Sequence, residues 1–180
     1  MTTQPGTEAK LGYRWEPFEV EGLSARENAG ILDRIESILL SWDGTPYMAG
    51  QQTKGRAVDC ARFVAAVLDE LYGEPRSRPE ALPQDAAMHD PRLAAETIEL
   101  MRRIYRPNLE VANCLIQPAD IVVVGPPGGG PGHAMIAGFR PNTLWHSIAA
   151  GRWVRQAGFG APWSYKVFGL YRQGDREKWL

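Results

Sequence analysis

Gly44-Thr45-Pro46-Tyr47, followed by Val58-Asp59-Cys60-Ala61-Arg62-Phe63-Val64, is the stretch on which the reading of this chain turns. Asp59 is a good helix N-cap, because its carboxylate accepts from the backbone N–H groups that the first turn leaves unpaired. Phe63, Val64, Val67, Leu68 and Leu71 then recur at helical spacing, and Gly73 stops the run. Cys60 falls on the same stripe, one turn before Phe63 and Val64, so its thiol is expected to face a neighbouring layer of the protein. Two histidines, His133 and His146, follow far downstream. A cysteine at a helix start with histidines in reserve is a candidate nucleophile as well as a small core residue.

Upstream of this stretch, Ser24-Ala25-Arg26-Glu27 is a capping box. It opens a helix whose apolar positions Ile31, Leu32, Ile35, Ile38, Leu39 and Trp42 share one face, until Asp43-Gly44 ends it. Residues 1–23 read as an N-terminal tail or extension, the first dozen of them polar. Residues 24–180 read as a single domain. Within it, 74–107 is an insertion with the character of a lid or docking element: a proline-rich loop, then a helix from Asp90-Pro91 to about Tyr105. Short strands are expected around 109–112, 120–124, 133–138, 143–149 and 165–172, with a weaker one at 152–156. Helices first and an antiparallel sheet afterwards is the α+β pattern.

The hairpin around Gly138-Phe139-Arg140-Pro141 carries the chemistry. If those four residues form its loop, 137 lies opposite 142 and His133 opposite His146. The two imidazoles then share a face at a Cβ separation of about 5 Å. One imidazole can orient the other, so that the correct ring nitrogen is available as a base. A free thiol titrates near about 8.5, and a helix N-terminus with a nearby imidazolium lowers that value. The expected product is a thiolate–imidazolium pair suited to acyl transfer, with backbone N–H groups at the helix start meeting the oxyanion.

Bulk properties narrow the field. The chain has 180 residues, enough for one domain with a sizeable core. Its 20 basic and 21 acidic residues leave a net charge of −1, with no basic run. No dense positive face is present to neutralise phosphates, so nucleic acid is not an expected partner. Three histidines without a CxxC or HExxH pattern argue against a metal site, and no cofactor is expected. The opening MTTQPGTEAK has no apolar core of a secretory signal, and no run is long enough to span a membrane. Synthesis in the cytoplasm without a signal peptide is therefore expected.

Taken together, Gly44-Thr45-Pro46-Tyr47, Asp59-Cys60, Pro118-Ala119-Asp120-Ile121-Val122, His133 and His146 resemble the NlpC family of papain-like cell-wall cysteine peptidases. Family members show a G-T-P-Y turn, a D-C-S-G helix start, a P-G-D-L-V strand, an H-V-G strand and an H-A strand end. The likeness spans roughly residues 30 to 172. It implies a papain-like fold and hydrolysis of peptide bonds in peptidoglycan stem peptides. Cys60 would be the nucleophile, His133 the base and His146 the residue orienting His133. Tyr47 would help bind the oxyanion or substrate, and Asp59 would take part in holding the substrate's amine. Because family members occur at phage tail tips, delivery in a phage tail or tail-like particle, with tail or injector proteins as partners, is a further expectation.

This chain departs from the pattern at Ala61-Arg62, where the family has Ser-Gly, and at Met48-Ala49-Gly50 after the tyrosine. Two other readings fit the same residues. One is an amidase or acyltransferase using the Cys–His pair on another substrate. The other is a non-catalytic tail or hub component with the same fold. Arg62 reads as a solvated charge or as a partner for a substrate carboxylate. Cys114 reads as a buried thiol, and His89 as a surface residue. Gly125–Gly132 lacks the lysine of a phosphate-binding loop and precedes a strand, so it reads as a loop beside His133.

Overall fold

The Ser24 capping box forms as its sequence dictates. Ser24 Oγ accepts from the Glu27 N–H at 3.3 Å, and Glu27 Oε2 accepts from the Ser24 N–H at 2.7 Å. The helix it starts, α1, runs Ala25–Trp42 and buries Ile31, Ile35, Leu39 and Trp42 along one face. In this computed structural model residues 13–75, 108–110, 115–125, 132–148, 152–159 and 166–180 are described. A second helix, α2, runs Cys60–Tyr72, from the Asp59 N-cap to Gly73 at φ 69°. The left-handed conformation at that position is open to glycine at no steric cost.

Ten strands occur among the described residues: β1 (Arg14–Trp15), β2 (Gln52–Thr53), β3 (Ala57–Val58), β4 (Asn108–Glu110), β5 (Leu115–Ile116), β6 (Ile121–Gly125), β7 (His133–Ala137), β8 (Thr143–Ile148), β9 (Trp153–Gly158) and β10 (Lys166–Gln173). Six of them form one antiparallel sheet in the order β4-β10-β6-β7-β8-β9. The architecture is thus α+β, with helices on an antiparallel sheet. On one face, Phe63, Val67 and Leu71 of α2 join Ile35 and Leu39 of α1 against Ala134, Ile136 and Trp145. On the other, Val122, Val124, Met135, Leu144 and Leu170 are covered by Tyr13, Trp15 and Phe159. β6 is covered on both faces, which is why it reads as the unbroken run Ile121-Val122-Val123-Val124 instead of an alternation. β9 is an edge strand in which only Val154 is buried, and this sparse apolar pattern made it the weakest strand to read.

The β7–β8 hairpin differs in register from the expectation. Ile136 lies opposite Trp145 and Ala137 opposite Leu144, and the Gly138 N–H donates to Thr143 O at 2.8 Å. The four-residue tip is therefore 139–142, one residue later than the loop read from sequence, with Asn142 at φ 58°. Thr143 Oγ1 donates to Arg140 O at 2.7 Å and helps close the tip. A shift of two positions leaves every side chain on its original face, because the strand period is two. His133 and His146 therefore still share a face, as diagonal neighbours and not as a directly opposed pair.

The segment from Tyr13 packs on the body: β1 pairs in parallel with β5, and Phe18 is buried in the main core. The first twelve residues, residues 76–107, Cys114 and residues 126–131 lie outside the described set, and with them the expected helix after Asp90-Pro91, His89 and most of the glycine-rich run. No helix among the described residues is long and apolar enough to cross a membrane.

Candidate active site

The start of α2 is gripped from two sides. The Val58 N–H donates to Pro46 O at 2.9 Å, and the Met48 N–H donates to Val58 O at 3.2 Å. Ser147 Oγ, fully buried on β8, also donates to Val58 O, at 2.8 Å. The Gly44–Tyr47 turn in turn lies along the edge of β9. Gly44 N–H donates to Val154 O, Val154 N–H to Thr45 O, and Tyr47 N–H to Arg152 O, at 3.0, 2.7 and 2.8 Å. The turn thus bridges the residue preceding Asp59-Cys60 to the edge of the sheet. This arrangement brings half-buried Tyr47 to the helix start.

Asp59 is engaged on both oxygens. Oδ1 accepts from the Arg62 N–H at 2.8 Å as the helix cap. Oδ2 accepts from the Gly50 N–H at 2.9 Å and from Arg62 Nη1 at 2.6 Å. Arg62 is only 3% exposed, so the solvated charge read from sequence is instead half of a buried ion pair. The reason is local: on a helix, residues three apart are neighbours, and a carboxylate buried at the N-cap demands a counter-charge. With this pairing, the Asp59 carboxylate accepts from the Gly50 N–H and from both the backbone N–H and the guanidinium of Arg62.

Cys60, 5% exposed, directs its thiol to the backbone of Ala134, the residue after His133. Burial pushes the thiol up to about 12, the Asp59 charge adds to the rise, and the backbone hydrogen bond from Ala134 only partly offsets it. The lowered value expected from the helix terminus is therefore not realised. Desolvation of the thiolate outweighs the helix dipole, which is worth at most about 2 kcal/mol even in favourable buried geometry.

The two histidines meet. His133 Nε2 lies 2.8 Å from His146 Nδ1, with ring centroids 5.1 Å apart. His146 is 1% exposed, and burial first, then the charge of Arg155, brings it down to about 4. It is neutral at physiological pH. A neutral His146 carrying its proton on Nε2 can accept from His133 once His133 becomes an imidazolium.

All five residues singled out in the sequence, Tyr47, Asp59, Cys60, His133 and His146, therefore lie at the start of α2 or on the strands it packs against. Sequence reasoning missed the pairing of Arg62, the Ser147 anchor and the place of Arg155 opposite His146. Only the first had a signal, the three-residue spacing from Asp59. No group of three or more His, Cys, Asp or Glu side chains arranged to hold a metal occurs among the described residues. A separate cleft of about 970 Å³ is lined by Trp15, Phe18, Leu32 and Phe139, and none of the five site residues borders it.

No protein-family model matches the sequence, and no curated protein matches it. Solved structures do. NlpC1 from Trichomonas vaginalis superposes with a TM-score of 0.51 at 14% identity, over 86% of this chain and 46% of that one. A lipoprotein-like NLP/P60 family protein from Staphylococcus aureus gives 0.51 at 17% identity, over 80% and 41%. The peptidoglycan hydrolase RipB from Mycobacterium tuberculosis gives 0.50 at 13% identity, over 83% and 68%. The chain spans less than half the length of the first of these structures. At such identities the likeness lies in the fold, and in it α2 with Cys60 at its head packs on the antiparallel sheet that carries both histidines. The chain has the papain-like α+β fold of the NlpC/P60 proteins.

Proposed function

We propose that this protein is a cysteine peptidase that hydrolyses peptide bonds in peptidoglycan stem peptides, with Cys60 as nucleophile, His133 as base and His146 as the residue orienting His133. The observation that carries the reading is the 2.8 Å contact between His133 Nε2 and His146 Nδ1, one residue from the backbone that receives the Cys60 thiol. The fold likeness to structures that include a peptidoglycan hydrolase supports the substrate class. Because the contact commits Nε2, Nδ1 of His133 is the atom that takes the proton.

The thiol is neutral at rest, so proton transfer to His133 accompanies attack of sulfur on the substrate carbonyl. The oxyanion is met by backbone N–H groups at the start of α2 and by Tyr47. Collapse of the intermediate breaks the C–N bond, and His133 returns its proton to the leaving amine. Water, deprotonated by His133, then hydrolyses the thioester and regenerates the thiol. Asp59 holds the helix start through Arg62. Delivery by a phage tail or tail-like particle is part of the proposal, resting on the sequence resemblance; co-purification with tail proteins tests it.

A second reading, a structural component with the same fold, is favoured by one observation: the Cys60 thiol is buried and hard to ionise. Digestion of purified peptidoglycan by wild type and Cys60→Ser, read by mass spectrometry, separates the two. Stem-peptide fragments produced only by wild type are expected. Their absence, with turnover of small acyl substrates, would point to an amidase or acyltransferase; absence of both would leave the structural component.

A further inference from the structure

Three adjacent strands place a row of polar side chains on one face of the sheet. His133 on β7 bonds to His146 on β8, and Arg155 on β9 lies directly opposite His146 in the β8–β9 register. Directly opposed residues of antiparallel strands point to the same face, with Cβ atoms about 5 Å apart. Trp153, two residues along β9 and opposite Ile148, shares that face and is 47% exposed. Arg155 is exposed as well, and its guanidinium has no hydrogen bond or ion pair among the described residues. This sets it apart from Arg62, Arg172 and Arg176, whose guanidinium groups all pair with carboxylates.

An unpaired cation beside the histidine pair works against any positive charge there, and it contributes to holding His146 neutral. That position is unfavourable in the free protein but well suited to an anion, because the planar guanidinium fork matches a carboxylate bidentately. We propose that Arg155, with Trp153 beside it, is a specificity-determining residue that takes a carboxylate of an acidic peptide substrate. This assignment rests on the peptidase reading and adds one consequence. A bound carboxylate cancels the charge of Arg155 where His133 has to become an imidazolium, so the correct substrate also eases the proton transfer.

The test uses two stem peptides of identical sequence, one with free carboxylates and one with those groups amidated. Cleavage is measured for wild type, Arg155→Gln and Arg155→Lys; binding is measured by calorimetry on Cys60→Ser with and without Arg155→Gln. Wild type is expected to favour the acidic peptide by about tenfold or more in kcat/KM, the scale of one charge-assisted hydrogen bond. The preference falls toward one in Arg155→Gln and is partly kept in Arg155→Lys. Cleavage with an undiminished preference in Arg155→Gln overturns the assignment and leaves the peptidase intact. If neither peptide is cut, yet Cys60→Ser binds the acidic one only while Arg155 is present, the recognition stands and the peptidase reading falls. Binding of neither peptide overturns both.

Discussion

Cys60 shows how one position can be pulled two ways. A helix start favours its thiolate, while burial disfavours it more strongly and leaves the group near 12. Alkylation by iodoacetamide should accordingly be slow at pH 7 and accelerate steadily toward pH 10, since only the thiolate reacts. Rapid labelling at neutral pH, followed by mass spectrometry, would show instead that the thiol ionises in the resting protein. His146 makes a second prediction. Its folded value, about 4, lies below the 6.5 of an unperturbed histidine, so between those values the unfolded chain binds the extra proton. Stability contributed by neutral His146 is present above pH 6.5 and is lost as the pH falls toward 4, by up to about 3 kcal/mol. Thermal melts from pH 7.5 to 4 should show this decline, and His146→Gln should flatten it. The candidates Tyr47, Asp59, Cys60, His133 and His146 could be picked from the sequence, because residue type and order along the chain are enough to single them out. The ionisation of Cys60 could not, because it depends on what covers the thiol.

At the scale of elements, α2 stands on the Asp59–Arg62 pair. Replacing Arg62 with leucine leaves a buried carboxylate without its counter-ion, a change that costs about 3–5 kcal/mol. Combining it with Asp59→Asn, which preserves the cap but removes the charge, should recover most of that loss in urea denaturation. Equal destabilisation of the single and double variants would show that the charge pair is not what holds the helix start. For α1 the expectation is smaller: Ser24→Ala removes one side of an exposed capping box and costs about 1 kcal/mol. Both helices were legible because caps and 3.6-residue spacing are properties of a few consecutive residues. The hairpin was legible in its strands and faces but not in its register. Where the tip falls is decided by the Thr143–Arg140 contact and the left-handed Asn142, which loop length alone does not specify.

Across the whole molecule, one carboxylate fastens the last strand and the turn after it to the start of β6. Asp120 has no exposed surface and accepts from Arg172 and Arg176 at 2.8 and 2.5 Å, while Arg176 also reaches Gln117 Oε1 and Pro118 O. Trp179, in the short 3-10 turn Arg176–Trp179, stacks edge-on with Tyr72 at the far end of α2. Removing Arg176 should therefore loosen the ends of β6, β10 and α2 together. Arg176→Met is expected to lower the urea midpoint by the equivalent of about 3–5 kcal/mol, the usual effect of stranding a buried charge. A shift below about 1 kcal/mol would mean that Arg172 suffices alone. By itself, the sequence determined both helices with their caps, most of the strands, the α+β class and the candidate site residues, because these follow from short-range spacing and residue chemistry. Only the tertiary structure decided the hairpin register, the burial of Arg62 against Asp59, the high pKa of Cys60, the parallel β1–β5 pair and the place of Arg155 opposite His146. Each of these depends on desolvation or pairing between segments far apart in the chain, and local sequence carries no record of which distant group will arrive.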